Sequence, residues 1–346
     1  MTGGAGFVGA SLCAGLAVRH PDWELVALDN LRRRGSELNL PRLREAGVVF
    51  VHGDVRAPDD LARLARVDAV VECSAEPSVL AGPDDDVVGT NLIGAYHCLE
   101  LARRHRAQLV FLSTSRVYPL AALGALRLRE TDTRFELEDE QATPGASAAG
   151  IAEDFPLVGA RTFYGATKLA AEHLITEYAE SYGLSAAVLR CGVIAGPWQM
   201  GKSDQGVFSH WLLAHHFGRP LAYIGYGGTG KQVRDLLHVD DLVELVEAQV
   251  LDPGHWAGTT FNAGGGRAGS LSLREATALC RELTGREVPV EPQPEGRPGD
   301  VPVYVSDCAR LFAHTDWRPR HGPREALADT LRWIEAHADA LRAALP

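Results

Sequence analysis

Long apolar runs are the first thing this sequence lacks. No stretch of about 18 consecutive apolar residues occurs, which excludes a helical membrane span. The start of the chain lacks a charged region followed by an apolar stretch, so no secretory leader is expected. Paired cysteines are missing as well. Cys13, Cys73, Cys98, Cys191, Cys280 and Cys308 stand apart with no CxxC among them, so no zinc site follows. Scattered, apolar-flanked thiols read as small core residues of a protein kept in a reducing cytoplasm. The 13 histidines include no HxxxH or HExxH spacing, so no metal is expected. Positive charge is scarce. Lys plus Arg is 34 against 45 for Asp plus Glu, a net charge of −11, which argues against nucleic acid as a partner. A phosphorylated small molecule stays open, because a few local arginines suffice for it.

What is present is an ordinary globular composition, 46% apolar and 23% charged over 346 residues. That length builds one large domain or two coupled ones. Short apolar runs at 24–29, 48–51, 69–72, 108–112 and 186–189 read as strands. Helical patterns at 10–19, 59–65, 91–104 and 164–182 alternate with them. This alternation predicts an α/β fold, a doubly wound parallel sheet with helices on both faces. The Ala-, Gly- and acid-rich segment 119–160 reads as a surface insertion. After residue 197 the elements shorten and Gly, aromatic and charged residues mix. The expected division is therefore 1–196 and 197–346, with pieces of the second lobe returning to the main sheet. Residues 324–344 read as one amphipathic helix.

Thr2-Gly-Gly-Ala-Gly-Phe-Val-Gly9 places Gly3, Gly6 and Gly9 at GxxGxxG spacing. Glycine permits a sharp turn and a close approach of pyrophosphate. The start of the following helix offers backbone N–H donors and a positive dipole end, and Phe7 and Val8 beside it are cofactor candidates. Asp29 follows Gly9 by 20 positions at the end of the next strand, where an acid bonds the adenosine ribose hydroxyls. Its charge disfavours a 2′-phosphate, so the expected cofactor is NAD rather than NADP, with Asn30 and Arg32 beside it. Asp54 and Val55 suit an adenine contact, and Ser74 and Ala75 follow the 69–72 strand toward the cofactor. The glycine turn belongs after a first strand, yet only Met1 precedes Thr2. The sheet centre is expected to lose a member here, and the natural protein is expected to have it.

Tyr164-Gly-Ala-Thr-Lys168 puts Tyr164 and Lys168 at i and i+4, on one helix face. A nearby ammonium and an oxidised nicotinamide both favour phenolate, which makes Tyr164 a base near neutral pH. The hydroxyl run Ser113-Thr114-Ser115 follows a strand directly, where a hydroxyl can bond the oxygen being oxidised. Each part alone is common; the combination is specific.

On these motifs the whole chain resembles the extended short-chain dehydrogenase/reductase superfamily, whose members modify nucleotide sugars on a Rossmann-like fold with a smaller C-terminal substrate lobe. The resemblance implies Thr114, Tyr164 and Lys168 as the reacting set. It also implies that Asn91, in Asn91-Leu-Ile-Gly94, supports the active-site strands and the cofactor. A narrower resemblance, to the CDP-paratose 2-epimerase (CDP-tyvelose epimerase) subfamily, lies in several further segments. These are Asp29-Asn-Leu-Arg-Arg-Arg-Gly-Ser-Glu-Leu-Asn39, Ser74-Ala-Glu-Pro-Ser-Val-Leu-Ala-Gly82, Arg190-Cys-Gly-Val-Ile-Ala-Gly-Pro-Trp-Gln199, Asp204-Gln-Gly-Val-Phe208 and Gln232-Val-Arg-Asp-Leu-Leu-His-Val-Asp240. Related dehydratases carry Asp-Glu directly after the catalytic Thr; here Ser115 and Arg116 stand there, which disfavours dehydration. Related decarboxylases carry a Glu at the Arg116 position. Val193 replaces an Asn common in the superfamily, which leans away from the 4-epimerase pose.

For the substrate, Arg234 and Arg297 match superfamily positions that meet the diphosphate or nucleoside, and Arg grips phosphate with paired hydrogen bonds. Gln205 and Lys202 are candidates for sugar or phosphate, and Ser115 and Arg116 for the sugar. The resemblance implies an NAD-dependent epimerase that inverts carbon 2 of a nucleotide-diphosphate sugar, CDP-linked by preference, and a homo-oligomer paired through helices that include the YxxxK helix. A 4-epimerase, a net NAD-dependent oxidoreductase and a non-catalytic nucleotide-sensing module remain the alternatives.

Overall fold

Met1 and Thr2 lie at the centre of the main parallel sheet. In the computed structural model, which describes residues 1–201 and 205–344, Thr2 forms parallel bridges to Leu28 on one side and Glu72 on the other. The Thr2 N–H donates to the Val71 carbonyl at 3.1 Å, and the Leu28 N–H donates to the Met1 carbonyl at 2.9 Å. These two residues occupy the position of the expected first strand.

From this centre the sheet runs both ways. Val26–Asp29 pairs in parallel with Val49–His52 on one side. On the other, Ala69–Glu72 pairs in parallel with Gln108–Thr114, followed by Ala186–Cys191 and Thr259–Ala263. Strand order thus reverses at Thr2, as in a doubly wound Rossmann-like sheet, and ligands of such sheets bind at the carboxyl ends beside the reversal. Asp29, Glu72 and Thr114 each end a strand there.

The chain divides into two compact units that interleave rather than separate at a single cut near residue 196. The first comprises Met1–Val117, Phe163–Arg190 and Leu242–Phe261. Its core packs Leu28, Leu61, Val70, Leu99, Leu101 and Phe111, all 3% exposed or less. Burial of each large apolar side chain of this kind contributes roughly 2 kcal/mol.

The second unit comprises Tyr118–Thr162, Cys191–Asp241 and Asn262–Pro346. Val233–His238 is its hub, parallel to Val193–Ala195 and Val303–Tyr304 and antiparallel to Ser270–Ser272. The segment expected as a surface insertion is built into this unit. Ile151 is fully buried, its N–H donates to the Val305 carbonyl at 2.8 Å, and its carbonyl accepts from Asp307 at 2.9 Å. The helix expected over 324–344 is two helices, Pro323–Ala336 and Ala338–Ala344. His337 breaks it at φ −122°, ψ 20°. None of the six cysteines is in a disulfide, and five of them are buried. Among the described residues no helix is long and apolar enough to cross a membrane, and no group of three His, Cys, Asp or Glu could hold a metal ion.

Candidate active site

The glycine turn is shaped by backbone approach. Gly3 has φ +59°, and a Cβ on it would stand 2.9 Å from the Cys73 carbonyl carbon; one on Gly9 would stand 2.3 Å from the Gly3 carbonyl oxygen. Gly6 is the N-cap of the helix Phe7–Arg19; among the described residues no side chain caps it, and the first turn holds no acid. That leaves the positive end of the helix, at Phe7 and Val8, open to an anion.

Asp29 is tied to this turn. Its Oδ2 accepts from Ala5 N–H at 3.1 Å and its Oδ1 from Leu31 N–H at 2.8 Å. Each carboxylate oxygen keeps a further acceptor direction for a ribose hydroxyl. Asn30 Nδ2 donates to Asp54 Oδ2 at 2.9 Å, and the Asn30 Oδ1 accepts from the Arg32 backbone at 3.0 Å. The Arg56 guanidinium beside Asp54 holds its carboxyl well below the usual range, with Asn30 assisting. Arg56 also pairs with Asp86 at 2.6 Å. Arg56 is not a sequence candidate; its fork on Asp54 is a local contact two residues back, while its bond to Asp86 joins a segment 30 positions on. Val55 is buried and its carbonyl bonds His97 Nδ1 at 2.7 Å. The Ser74 hydroxyl is buried and has no partner among the described residues, next to half-buried Ala75. The uncapped helix end, the crowded glycines, the tethered Asp29 and the orphan Ser74 hydroxyl together fit a dinucleotide.

Thr114 ends the strand Gln108–Thr114, 6% exposed, and its Oγ1 accepts from the Arg116 N–H at 3.2 Å. That bond shapes the turn Ser115–Val117, on which Ser115 and Arg116 are half-buried. The helix Phe163–Tyr182 closes on this turn through Gly165, where a Cβ would stand 2.0 Å from the Arg116 carbonyl oxygen. Only glycine allows that approach, and it carries Tyr164 with it. Tyr164 acts electrostatically on Lys168, as their i, i+4 spacing requires.

Asn91 sits in a single π-helical turn, Gly89–Ile93, a geometry frequent at functional sites. Its amide meets the Glu76 backbone and the Thr167 hydroxyl. Two buried ion pairs carry no short-range sequence signal. Glu72 ends a strand, and its carboxylate meets the Lys168 ammonium at 3.0 Å. Glu172 and Arg190 form a buried pair at 2.7 Å, with Ser113 donating to the same carboxylate.

In the second unit, Arg234 pairs with Asp300 and donates to the Val301 carbonyl at 2.7 Å. Asp300 N–H in turn donates to the Arg297 carbonyl at 3.3 Å, so Arg234 fixes the turn on which Arg297 is half-buried. Gln205 is half-buried, one residue before Gly206 at φ +68° and the helix Val207–Phe217. Lys202 lies outside the described residues.

A model of the NAD dependent epimerase/dehydratase family matches residues 1–264. The chain belongs to that family. CDP-paratose 2-epimerase of Salmonella typhi is 28% identical over 350 residues, spanning 97% of this chain and 98% of that one. A dTDP-glucose 4,6-dehydratase of Mycobacterium tuberculosis is 30% identical over 338 residues, spanning 96% and 92%. The solved structure of Thermus thermophilus UDP-glucose 4-epimerase in complex with NAD is 28% identical, with a TM-score of 0.76 over 96% of this chain and 97% of that one. An NAD-dependent family of this kind, with relatives that act on nucleotide sugars, accords with the dinucleotide fit of the glycine turn.

Proposed function

We propose that this member of the family is a nucleotide-sugar 2-epimerase that works with tightly held NAD on a CDP-linked hexose. The observation that carries the reading is the pairing of an intact Thr114, Tyr164 and Lys168 set with Ser115 and Arg116 directly after the threonine. Neither residue can supply the carboxylic acid that expels water, so proton and hydride exchange at one sugar carbon is the chemistry left to the site. The likeness to the Salmonella typhi enzyme supports carbon 2 and the cytidine base.

NAD⁺, when bound, would supply a reversible hydride acceptor, so that one sugar carbon could be oxidised and reduced again with no net redox change. The chain's own part is acid–base and positional. Tyr164 Oη takes the proton from the sugar hydroxyl and later gives it back. Thr114 Oγ1 bonds the reacting oxygen. The Lys168 ammonium stabilises the phenolate. Asp29, Asn30, Arg32, Asp54, Val55, Ser74, Ala75 and Asn91 orient the dinucleotide over the Gly3–Gly6 turn. Arg234 and Arg297 are assigned to the diphosphate, and Ser115, Arg116 and Gln205 to the sugar.

The half-exposed apolar side chains Ile93, Tyr96, Phe163 and Tyr182, on or beside the helices Gly94–His105 and Phe163–Tyr182, support a homo-oligomer built on those helices. Light scattering of the eluted protein tests that. The scattered cysteines, none in a disulfide, support a reducing, cytoplasmic setting.

A second reading, inversion at carbon 4, is favoured by the likeness to the Thermus thermophilus UDP-glucose 4-epimerase; Val193 and Arg116 lean against it. Replacing Tyr164 with Phe tests the acid–base assignment. Turnover is expected to vanish while the sugar nucleotide still binds, and an epimerase that survives the change would refute the role of Tyr164.

A further inference from the structure

Glu72 and Lys168 are opposite charges sealed from water. Glu72 is 1% exposed and the Lys168 side chain 2%. Lys168 Nζ lies 3.0 Å from Glu72 Oε2 and 3.4 Å from the Ser74 carbonyl oxygen. The Phe111 ring centroid lies 4.3 Å from the same nitrogen. An ammonium has three donors; Glu72 and Ser74 receive two of them, and the third is available to the cofactor ribose or the Tyr164 oxygen.

A lysine this deep, left without a counter-ion, sheds its proton readily. As a neutral amine it would give the Tyr164 phenolate no electrostatic support. Burial pulls the Lys168 pKa down, while the Glu72 carboxylate and Tyr164 push it up, and the net direction is up. The thiols of Cys73 and Cys98 also lie within its electrostatic reach. Burial pushes both thiols up, so they carry no charge at working pH. Among the described residues, Glu72 is the carboxylate that the ammonium meets as an ion pair.

We propose that Glu72 is a positioning residue that keeps Lys168 charged and aimed, and so sets the alkaline limit of the site's activity. The proposal rests on the reading of Tyr164 as the base, and its test includes an arm that does not need turnover. A carboxylate in this place also dilutes the field of the ammonium at Tyr164, so the arrangement favours a permanent charge over the strongest one.

The variant Glu72→Gln keeps the shape and removes the charge. Two measurements read it. The first is the pH dependence of turnover in NAD-loaded protein. The alkaline limb is expected to move down by about one pH unit or more, with activity near pH 9 reduced about tenfold and activity near pH 7 reduced less. Glu72→Asp is expected to restore part of the limb. The second is ¹⁵N-lysine NMR of the Nζ resonance of Lys168, assigned by its loss in Lys168→Met. The protonated signal is expected to persist to higher pH in the wild type than in Glu72→Gln.

An alkaline limb that superimposes on the wild type, with only a lower melting temperature, would reduce Glu72 to a structural role and overturn the proposal. An Nζ signal with unchanged pH dependence would overturn it whether or not any sugar is turned over. If no sugar is turned over and the Nζ signal still shifts, the epimerase reading fails and the assignment of Glu72 stands. Should Glu72→Gln not fold, Glu72→Asp carries the same two measurements with smaller shifts in the same direction.

Discussion

Asn91 holds Glu76 by both of its backbone polar groups. Its Oδ1 accepts the Glu76 N–H at 2.7 Å, and its Nδ2 donates to the Glu76 carbonyl at 3.1 Å. The same Nδ2 reaches the Thr167 hydroxyl at 3.2 Å, one residue from Lys168. One amide thus ties the segment after the Ala69–Glu72 strand to the helix that carries Tyr164 and Lys168. Asn91 is 1% exposed, so water cannot take over these bonds.

Replacing Asn91 with Ala strands the two Glu76 backbone groups together. The expected cost is about 3 kcal/mol, read as a lower urea midpoint at unchanged slope, with turnover falling further than the fraction unfolded explains. Asn91→Asp keeps the acceptor and loses the donor, and should fall between the two.

The pair Glu172 and Arg190 gives a second expectation. Arg190 Nε lies 3.2 and 3.1 Å from the two Glu172 oxygens, its Nη2 lies 2.7 Å from one of them, and both side chains are 7% exposed. Removal of one partner of a buried pair leaves an unanswered charge, so Arg190→Met should cost roughly 3–5 kcal/mol. The double change with Glu172→Gln should recover part of that loss. Denaturation of the three variants checks it, and equal costs for the single and double changes would contradict it.

Asp235 makes stability depend on pH. It is fully buried, and burial pushes its carboxyl from the ordinary 3.8 to about 6, against hydrogen bonds from Ser306 and Gly266. The folded form therefore holds the proton more tightly than the unfolded chain. Its contribution is full below pH 3.8 and is lost as pH rises through about 6. At 1.36 kcal/mol per unit the loss is about 3 kcal/mol. Asp235→Asn should flatten this slope in chemical denaturation across the same window; an unchanged slope would assign it to other groups.

The glycine turn separates fold from cofactor. A Cβ on Gly9 collides with the Gly3 carbonyl oxygen at 2.3 Å, whereas one on Gly6 meets it at 3.1 Å. Gly9→Ala should fail to fold stably. Gly6→Ala should fold yet bind NAD about tenfold more weakly or worse, since its methyl stands where pyrophosphate approaches the helix end. Calorimetric titration of NAD into Gly6→Ala decides this.

Local signals carry much of the candidate site. Gly3, Gly6, Asp29, Thr114, Tyr164 and Lys168 are short-range patterns: a turn, a strand end, an i, i+4 pair. The parallel order was legible because strands and helices alternate. What was not legible depends on distant partners. Glu72 ends an apolar run like any strand-terminal acid, and only Lys168, 96 positions on, gives it meaning. Segment 119–160 looks like an insertion by composition, but the backbone of Ile151 bonds Val305 and Asp307. The break at His337 follows from the backbone at one residue, which periodicity over 324–344 averages away. Arg234 reads as a phosphate ligand, and its bond to Asp300 emerges only once the 297–300 turn is built.

The most direct test of the central claim is proton NMR of the purified protein, supplied with NAD⁺ and incubated in turn with CDP-, GDP- and UDP-hexoses, following the coupling between the protons on carbons 1 and 2. The account predicts a new CDP-sugar inverted at carbon 2 with no build-up of NADH. Inversion at carbon 4, or steady release of NADH, would contradict it.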